Sequence, residues 1–373
     1  MALVLNDEQL MLRDAARHFL ADRAPVSHLR ELRELRDPDG FSRALWNEFV
    51  EMGWTGILVP EEYGGLDYGY TGMGLILEEC GRNLTPSPLL STSLVGVASL
   101  VLAGSLDQRE SVLPAVVSGQ HLLALACDEG CGHGPEPVEC AAEMQAGRYI
   151  LNGRKTAVVD GHVAHTFIVS ARTGSGVSLF LVPADAPGVT AERYAVLDTH
   201  AAATVEFNQV DLGQGQLLGT PHEAQPQLDQ ILDVARIGVA AEMLGIAQEA
   251  FEQTVDYLKQ RKQFGVLIGN FQALQHRAAL LFGELELCKS LVLKALHSLD
   301  EGGDGLAELA SLTKAKLGEV TQLATAEAIQ MHGGIGMTDD FDIGFFIKRY
   351  RILESLYGDR NFHLDRFASL RGY

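Results

Sequence analysis

The 373-residue sequence has few cysteines, no long apolar run and no excess of basic charge. Its five cysteines are odd in number and scattered, which excludes the disulfide framework of a small secreted domain and favours a reducing compartment. The most apolar stretch, residues 89–103, is interrupted by serine and threonine and is shorter than the roughly 20 residues that a bilayer span needs. The N-terminus lacks the basic segment of a secretory signal, so we expect a cytoplasmic protein without a membrane span.

The charge balance is strongly acidic. Forty-nine Asp and Glu residues against 29 Lys and Arg residues give a formal net charge of −20, which argues against binding to nucleic acid or to an anionic membrane. The acidic net charge is still compatible with a small anionic ligand, because a few local arginines can hold it. Apolar residues make up 47% of the chain, an ordinary share for a globular protein, and the length predicts two or three domains.

Three kinds of pattern follow one another along the chain. Residues 1–120 predict an N-terminal helical domain, in which Asn6 caps the first helix and Leu113-Pro114 marks a turn. Residues 121–220 predict a middle β-domain, an antiparallel sandwich or barrel of short strands, with Asn152-Gly153 as a hairpin turn.

Residues 221–373 return to the helical period. Long amphipathic patterns run over 232–260, 271–299 and 306–332, with glycines between the last two. Long antiparallel helices with short connections predict a C-terminal helical bundle.

Two motifs in the bundle suit a phosphate-bearing ligand. Arg261 begins Arg-Lys-Gln-Phe264-Gly, and Gln272 follows eleven residues after the arginine. A guanidinium offers a planar set of donors with permanent charge, which suits phosphate. In the segment from Gln330 to Gly336, Gly333 and Gly334 let backbone amides approach a ligand closely.

These motifs, the turn Trp54–Gly65 and the helical–β–helical order resemble the acyl-CoA dehydrogenase family over essentially the whole chain. The resemblance implies an α+β multidomain fold, FAD as cofactor and Cα–Cβ desaturation of an acyl-CoA thioester, with an electron-transfer flavoprotein as a possible electron acceptor. It implies that FAD is shared between subunits and is contacted by Arg261, Phe264, Gln272, Gln330, Gly333, Gly334 and Asp359.

The sequence departs from the family where the family carries its catalytic glutamate. The usual position, 27 residues after Gln330, holds Tyr357, and the other position used in the family holds Ala235. The aromatic and hydroxyl residues that cover the flavin ring in the family are replaced by Ala157 and Val159. The flavin-contacting stretch of the β-domain has also changed, and reads Cys-Asp-Glu-Gly-Cys-Gly-His-Gly over residues 127–134.

Three carboxylates are weak candidates for a replacement base. Glu242 lies two helical turns beyond Ala235, while Glu354 and Asp359 flank Tyr357. Each is more readily understood as a structural or surface carboxylate, so the catalytic residue of this chain stays open.

A metal site is not favoured by the cysteine spacing. Cys127 and Cys131 are four residues apart, with His133 and Cys140 nearby, but no second ligand pair follows at the spacing of a zinc module. We therefore expect no metal.

The combined losses favour a heteromeric enzyme. We expect the chain to be the glutamate-lacking subunit of an α2β2 acyl-CoA dehydrogenase, in which a paralogous subunit supplies the base. One alternative is a self-sufficient homo-oligomeric dehydrogenase or related flavin enzyme with a different base. The other is a non-catalytic binding protein on the same fold.

Overall fold

The computed structural model describes residues 3–130, 132–134, 138–174 and 176–373. Within them the α-helices are α1 (Asp7–Arg23), α2 (Val26–Leu35), α3 (Arg43–Glu51), α4 (Tyr70–Asn83), α5 (Val97–Ala103), α6 (Leu106–Val117), α7 (Gln225–Gln260), α8 (Gln272–Glu301), α9 (Leu306–His332), α10 (Ile343–Ser355) and α11 (Arg360–Leu370). The strands are β1 (Leu123–Ala126), β2 (Ala141–Gln145), β3 (Arg148–Val159), β4 (Thr166–Thr173), β5 (Gly176–Pro183), β6 (Val189–Ala195), β7 (Ala201–Leu212), β8 (Leu217–Leu218), β9 (Lys262–Gln263) and β10 (Val266–Leu267). The predicted order of a helical, a β and a second helical region is confirmed. No described helix combines the length and the apolar character that crossing a bilayer requires.

The described chain forms two compact units, and neither is contiguous in sequence. The helical unit contains the N-terminal segment through Glu31, Tyr70–Thr85 and Arg236–Tyr373. The sheet unit contains Leu32–Gly69 and Pro86–Ala235. The division into three sequential domains near residues 120 and 220 stays a prediction.

Helix ends in the helical unit follow local sequence signals. The Asn6 side chain accepts a hydrogen bond from the Gln9 backbone, and the Gln9 side chain accepts one from the Asn6 backbone, so the predicted cap of α1 is confirmed as a capping box. Gly302 ends α8 and Gly305 precedes α9, both with positive φ values of +65° and +79°. Glycine adopts this conformation without the steric penalty of a side chain.

Helices α4 and α7 approach each other closely at two glycines. A Cβ atom on Gly81 would lie 2.1 Å from the carbonyl oxygen of Glu242, and one on Gly245 would lie 1.8 Å from that of Glu78. Such distances are far inside van der Waals contact, so this helix crossing requires glycine at both positions. The crossing fixes the height of Glu242 on α7 relative to α4.

The strands of the sheet unit form one mixed sheet. Among the described residues the order is β6-β7-β3-β2-β4-β5-β8, and β1 lies parallel beside β4. The long ladders of β3 with β7, β4 with β5 and β6 with β7 are antiparallel, as predicted for this region. Its core is apolar and aromatic, and includes Tyr149, Leu151, Phe167, Phe180 and Phe207.

The predicted hairpin at Asn152-Gly153 is wrong. Strand β3 runs through both residues, and its register with β7 shifts between Leu151 and Gly153. Gly153 has a φ of +146°, and a Cβ atom there would lie 2.7 Å from the Cα atom of Cys140. The glycine therefore serves a β-bulge, whereas the turn into β3 lies at Ala146-Gly147, where both φ values are positive.

The predicted turn at Leu113-Pro114 is also wrong, because Pro114 lies inside α6. A proline removes one helical hydrogen bond, but two other contacts hold this helix in place. Leu113 is fully buried, and the Gln108 side chain donates to the backbone carbonyls of Gly215 and Leu217. Tertiary packing thus overrides the local signal of the proline.

Gly245→Ala should destabilise the protein by about 3 kcal/mol, because the new methyl group collides with the Glu78 carbonyl at the α4–α7 crossing. Gly283→Ala on α8 is the matched control: a Cβ atom there meets no described atom within 4 Å. That change should be neutral or stabilising by up to about 1 kcal/mol. Urea unfolding followed by circular dichroism measures both, and equal effects at the two positions would contradict the close crossing.

Candidate functional site

The loop between α10 and α11 places Tyr357 where the resemblance expects a catalytic glutamate. Tyr357 is 3% exposed and adopts a left-handed conformation with φ +58°, followed by Gly358 at φ +111°. The Arg236 guanidinium, itself buried in α7, donates from Nε to the carbonyl oxygen of Tyr357 at 3.0 Å. The backbone at this position is therefore held by a buried cation.

A buried lysine holds the same loop. Lys314 on α9 is 1% exposed, and its Nζ donates to the carbonyl oxygens of Glu354 at 2.8 Å and Gly358 at 2.9 Å. Burial lowers the pKa of Lys314 to about 7, against the opposing effect of the Glu354 and Asp359 charges. Lys314 was not predicted from the sequence, although its position on the buried, apolar stripe of α9 is the signal that indicates it.

The resemblance expects the family's other glutamate position at Ala235. Ala235, on α7, is fully buried. Its methyl group accepts no proton.

The three candidate carboxylates each have a structural partner. Glu242 is buried and receives a hydrogen bond from Arg349 Nε at 2.6 Å. Glu354 accepts one from the backbone of Arg360 at 3.0 Å. Asp359 caps α11 by accepting from the backbone of Phe362 at 2.7 Å.

The Arg261 motif forms a small β-hairpin that projects from the end of α7. Strands β9 and β10 pair, and Phe264-Gly265 make the turn with φ values of +54° and +80°. Two consecutive positive φ values are typical of a type I′ turn. Phe264 at its tip is 91% exposed, which is unusual for a large apolar side chain.

The glycine motif lies at the same end of the helical unit as Arg261. The rings of Tyr257 and His332 stack with centroids 4.3 Å apart, which joins the last turns of α7 and α9. Arg261 follows Tyr257 by one turn, and Gly333 follows His332 directly. Gly333 and Gly334 are exposed, and a Cβ atom on either would meet no described atom within 4 Å.

The helical unit therefore offers the groups that the diphosphate end of FAD needs. A guanidinium and open glycine backbone lie at one end of the bundle, and two side-chain amides, those of Gln272 and Gln330, are exposed. Gln272 is the first residue of α8, and Gln330 belongs to the last turn of α9. These residues fit an anionic cofactor.

The sheet unit holds Ala157 and Val159, where the resemblance expects residues that cover the flavin ring. Ala157 is exposed with φ +52°, and Val159 ends β3; neither brings an aromatic ring or a hydroxyl group. Tyr194 on β6 hydrogen-bonds the backbone of Ala157, and partial burial raises the pKa of its phenol. No local sequence signal indicated this tyrosine, because its contact with Ala157 crosses the sheet.

The altered loop after β1 is fixed by a buried lysine. Lys155 is fully buried, and its Nζ donates to Glu129 at 2.6 Å and to the carbonyl of Cys127 at 3.1 Å. Glu129 in turn accepts from the backbone of Cys140 at 3.0 Å. Cys131 lies outside the described residues.

Comparison with known proteins gives one consistent result. Three family models match in succession: the acyl-CoA dehydrogenase N-terminal domain over residues 6–120, the middle domain over 126–210 and the C-terminal domain over 226–369. The probable acyl-CoA dehydrogenase YngJ of Bacillus subtilis is 30% identical over 362 residues, covering 94% of this chain and 94% of that protein.

Solved structures agree with these matches. A variant of the Tcur3481–Tcur3483 steroid acyl-CoA dehydrogenase superposes with a TM-score of 0.89 at 31% identity, covering 98% of each chain. The ChsE4–ChsE5 complex of Mycobacterium tuberculosis superposes with a TM-score of 0.89 at 25% identity, covering 100% of each chain.

Lys314 should give the protein a specific pH dependence of stability. Its pKa is lowered from 10.5 in the unfolded chain to about 7 in the fold, so between these values the unfolded state binds more protons and stability rises with pH. Lys314→Met removes this contribution, and the deficit of the variant should grow as the pH increases from about 7 to about 10.

Urea unfolding at a series of pH values measures that deficit. Lys316→Met is the control on the same helix. Partial burial lowers the pKa of Lys316, but the Glu284 hydrogen bond and the charges of Glu319 and Glu284 together raise it, so the effect of this variant should stay constant in this window. A constant deficit for Lys314→Met as well would contradict the buried, weakly protonated lysine.

Proposed function

The chain belongs to the acyl-CoA dehydrogenase family, and we propose that it is the subunit without a catalytic glutamate in a heteromeric α2β2 dehydrogenase that desaturates an acyl-CoA at Cα–Cβ. The observation that carries the proposal is the buried Tyr357 at the expected base position, with its backbone held by Arg236 and next to a carbonyl held by Lys314. Ala235 at the alternative position supports the same conclusion.

The reaction needs a proton acceptor that these side chains do not provide. The α-C–H bond beside a thioester is a weak acid, and the family removes its proton with a carboxylate. A phenol with an ordinary pKa near 10 is a poor base at neutral pH. Glu242, Glu354 and Asp359 are each engaged in a structural contact, which disfavours a self-sufficient enzyme with a different base.

This chain offers groups for the diphosphate end of FAD but none that cover the flavin ring, so a partner subunit would complete the site. Arg261, Gln272 and Gln330, with the backbone of Gly333 and Gly334, would hold the diphosphate end, and bound FAD supplies the acceptor for the β-hydrogen. Ala157 and Val159 offer no ring cover in this chain. We propose that the cofactor groups of this chain act together with those of a paralogous subunit, and that electrons leave to an electron-transfer flavoprotein.

Exposed apolar side chains support a partner subunit. On the helical unit the large exposed residues include Phe264 at 91%, Met337 at 78%, Leu280 at 72%, Leu287 at 62% and Phe282 at 54%. A run of such residues on helices marks protein contact surfaces. Two structural relatives, Tcur3481–Tcur3483 and ChsE4–ChsE5, are each named as a pair of proteins.

The purified chain, supplied with FAD and a panel of straight and branched acyl-CoAs, should reduce no electron acceptor at enzymic rates, because it lacks the base. The complex purified after coexpression with a glutamate-bearing paralogue should turn over. Turnover by the chain alone would overturn the subunit assignment. A complex that takes up no FAD would instead favour the non-catalytic alternative.

Tyr357→Phe tests whether the phenol itself moves a proton. In the active complex we expect kcat to stay within about twofold, because loss of a true general base costs about 100-fold to 10,000-fold. A loss of that size, with an unchanged unfolding temperature, would identify Tyr357 as the base.

Arg261→Ala should weaken FAD retention by the complex, because it removes the proposed diphosphate donor, whereas Lys262→Ala on the neighbouring exposed position should not. Gel filtration at low FAD concentration, with the flavin absorbance per protein as readout, measures both. Equal flavin content in the two variants would remove Arg261 from the cofactor site.

A further inference from the structure

We propose that Cys127, Asp128 and His133 form a binding site for one divalent cation of the zinc type. One ligand atom from each, a thiol sulfur, a carboxylate oxygen and an imidazole nitrogen, lies within 4.8 Å of the other two. His133 Nδ1 and Asp128 Oδ1 are 2.7 Å apart. The proposal concerns the sheet unit alone and does not depend on the proposed subunit role.

The spacing of the three atoms suits a small cation. Ligand atoms about 2.0–2.3 Å from zinc in a tetrahedral site lie about 3.3–3.8 Å from one another. A hydrogen bond joins the His133 and Asp128 side chains in this structure, and a metal ion would take the place of that contact.

The ligand types select the metal. Calcium and magnesium prefer oxygen ligands only, whereas a set of sulfur, nitrogen and oxygen suits zinc and related transition metals. Three protein ligands are also the number found in zinc sites that keep one open position.

The backbone that carries Cys127 and Asp128, two of the three ligands, is held by β3. Thr156 donates from its backbone nitrogen to the carbonyl of Asp128 at 2.8 Å and from its hydroxyl to the carbonyl of Gly130 at 2.8 Å. Lys155 Nζ holds the carbonyl of Cys127 at 3.1 Å. These two ligands therefore lose little conformational entropy on binding a metal.

The surroundings favour a cation. The side chains of Asp128 and His133 are only 13% and 9% exposed. A cavity of about 170 Å³ opens beside the cluster and is also lined by Glu129 and Glu139. The carboxylates add negative potential, and the cavity leaves room for a water molecule or a small ligand on the metal.

The spacing of cysteines and histidines did not predict this site, because a zinc module is recognised by two pairs of such residues and this site contains one of each. The fold instead adds Asp128, which is adjacent to Cys127 in sequence and meets His133 five residues later. Cys131 lies outside the described residues, and the proposal does not rest on it.

Cobalt(II) tests the site because its spectrum reports the ligands. The untagged, chelator-treated full chain should bind one equivalent of Co²⁺, with an ultraviolet thiolate-to-cobalt charge-transfer band and visible d–d bands. Zn²⁺ should displace the cobalt and raise the unfolding temperature. Absence of the thiolate band in the unmodified chain would overturn the proposal.

Variants assign the ligands. Cys127→Ser should abolish the charge-transfer band, and Asp128→Asn and His133→Gln should each weaken zinc binding by more than about tenfold in competition with a chromophoric chelator. Glu139→Gln, which lines the cavity without belonging to the cluster, and Cys288→Ser, a thiol of the helical unit, are the controls. A band that survives Cys127→Ser, or zinc affinity unchanged in His133→Gln, would overturn the assignment, and the unmodified chain still tests it where a variant fails to fold.

Discussion

A buried arginine and a buried lysine hold the main chain around Tyr357, and the rest of the site depends on that constraint. Arg236 donates to the Tyr357 carbonyl, while Lys314 donates to those of Glu354 and Gly358. Burying a cation without such contacts is costly, so each donor and its carbonyl stabilise one another. The loop between α10 and α11 is therefore a defined structure, although the side chain it presents is a phenol rather than a carboxylate.

The groups that hold the backbone of the site are different from the groups that could act on a substrate. The helical unit keeps Arg261, the two glutamines and the open glycine backbone, which suit a diphosphate, and it keeps the cation-held loop. Its buried acid Glu242 is ion-paired with Arg349, which stabilises the bundle rather than leaving a base available. In the sheet unit, Ala157 and Val159 bring neither an aromatic ring nor a hydroxyl group, and the loop after β1 gathers a thiol, a carboxylate and an imidazole.

The sequence predicted those helix ends and spans that depend on interactions between residues close together in the chain. The Asn6 cap and the span of α9 from Leu306 to His332 agree with the structure because capping and apolar periodicity act within a few residues. Asn152-Gly153 was misassigned because the same dipeptide suits a turn and a bulge, and only pairing with β7 decides between them. Helix α10 was not predicted, because the segment around Tyr357 was interpreted only as the position of the family's glutamate.

The family resemblance predicts individual site residues, such as Tyr357 and Ala235, but it does not give their contacts. The partners of the site residues come from distant parts of the chain. Lys314 is 40 positions from Glu354, and Arg349 is 107 from Glu242. The contact of Tyr194 with Ala157 likewise depends on sheet topology, which periodicity alone does not specify.

The central claim is that this chain contributes no base for the α-proton, and solvent deuterium exchange tests it most directly. Acyl-CoA is incubated in D2O with the FAD-supplied chain or with the coexpressed complex, and deuterium at Cα is followed by mass spectrometry. The account predicts exchange with the complex and none above the uncatalysed rate with the chain alone. Deuterium incorporation at Cα by the isolated chain would contradict it.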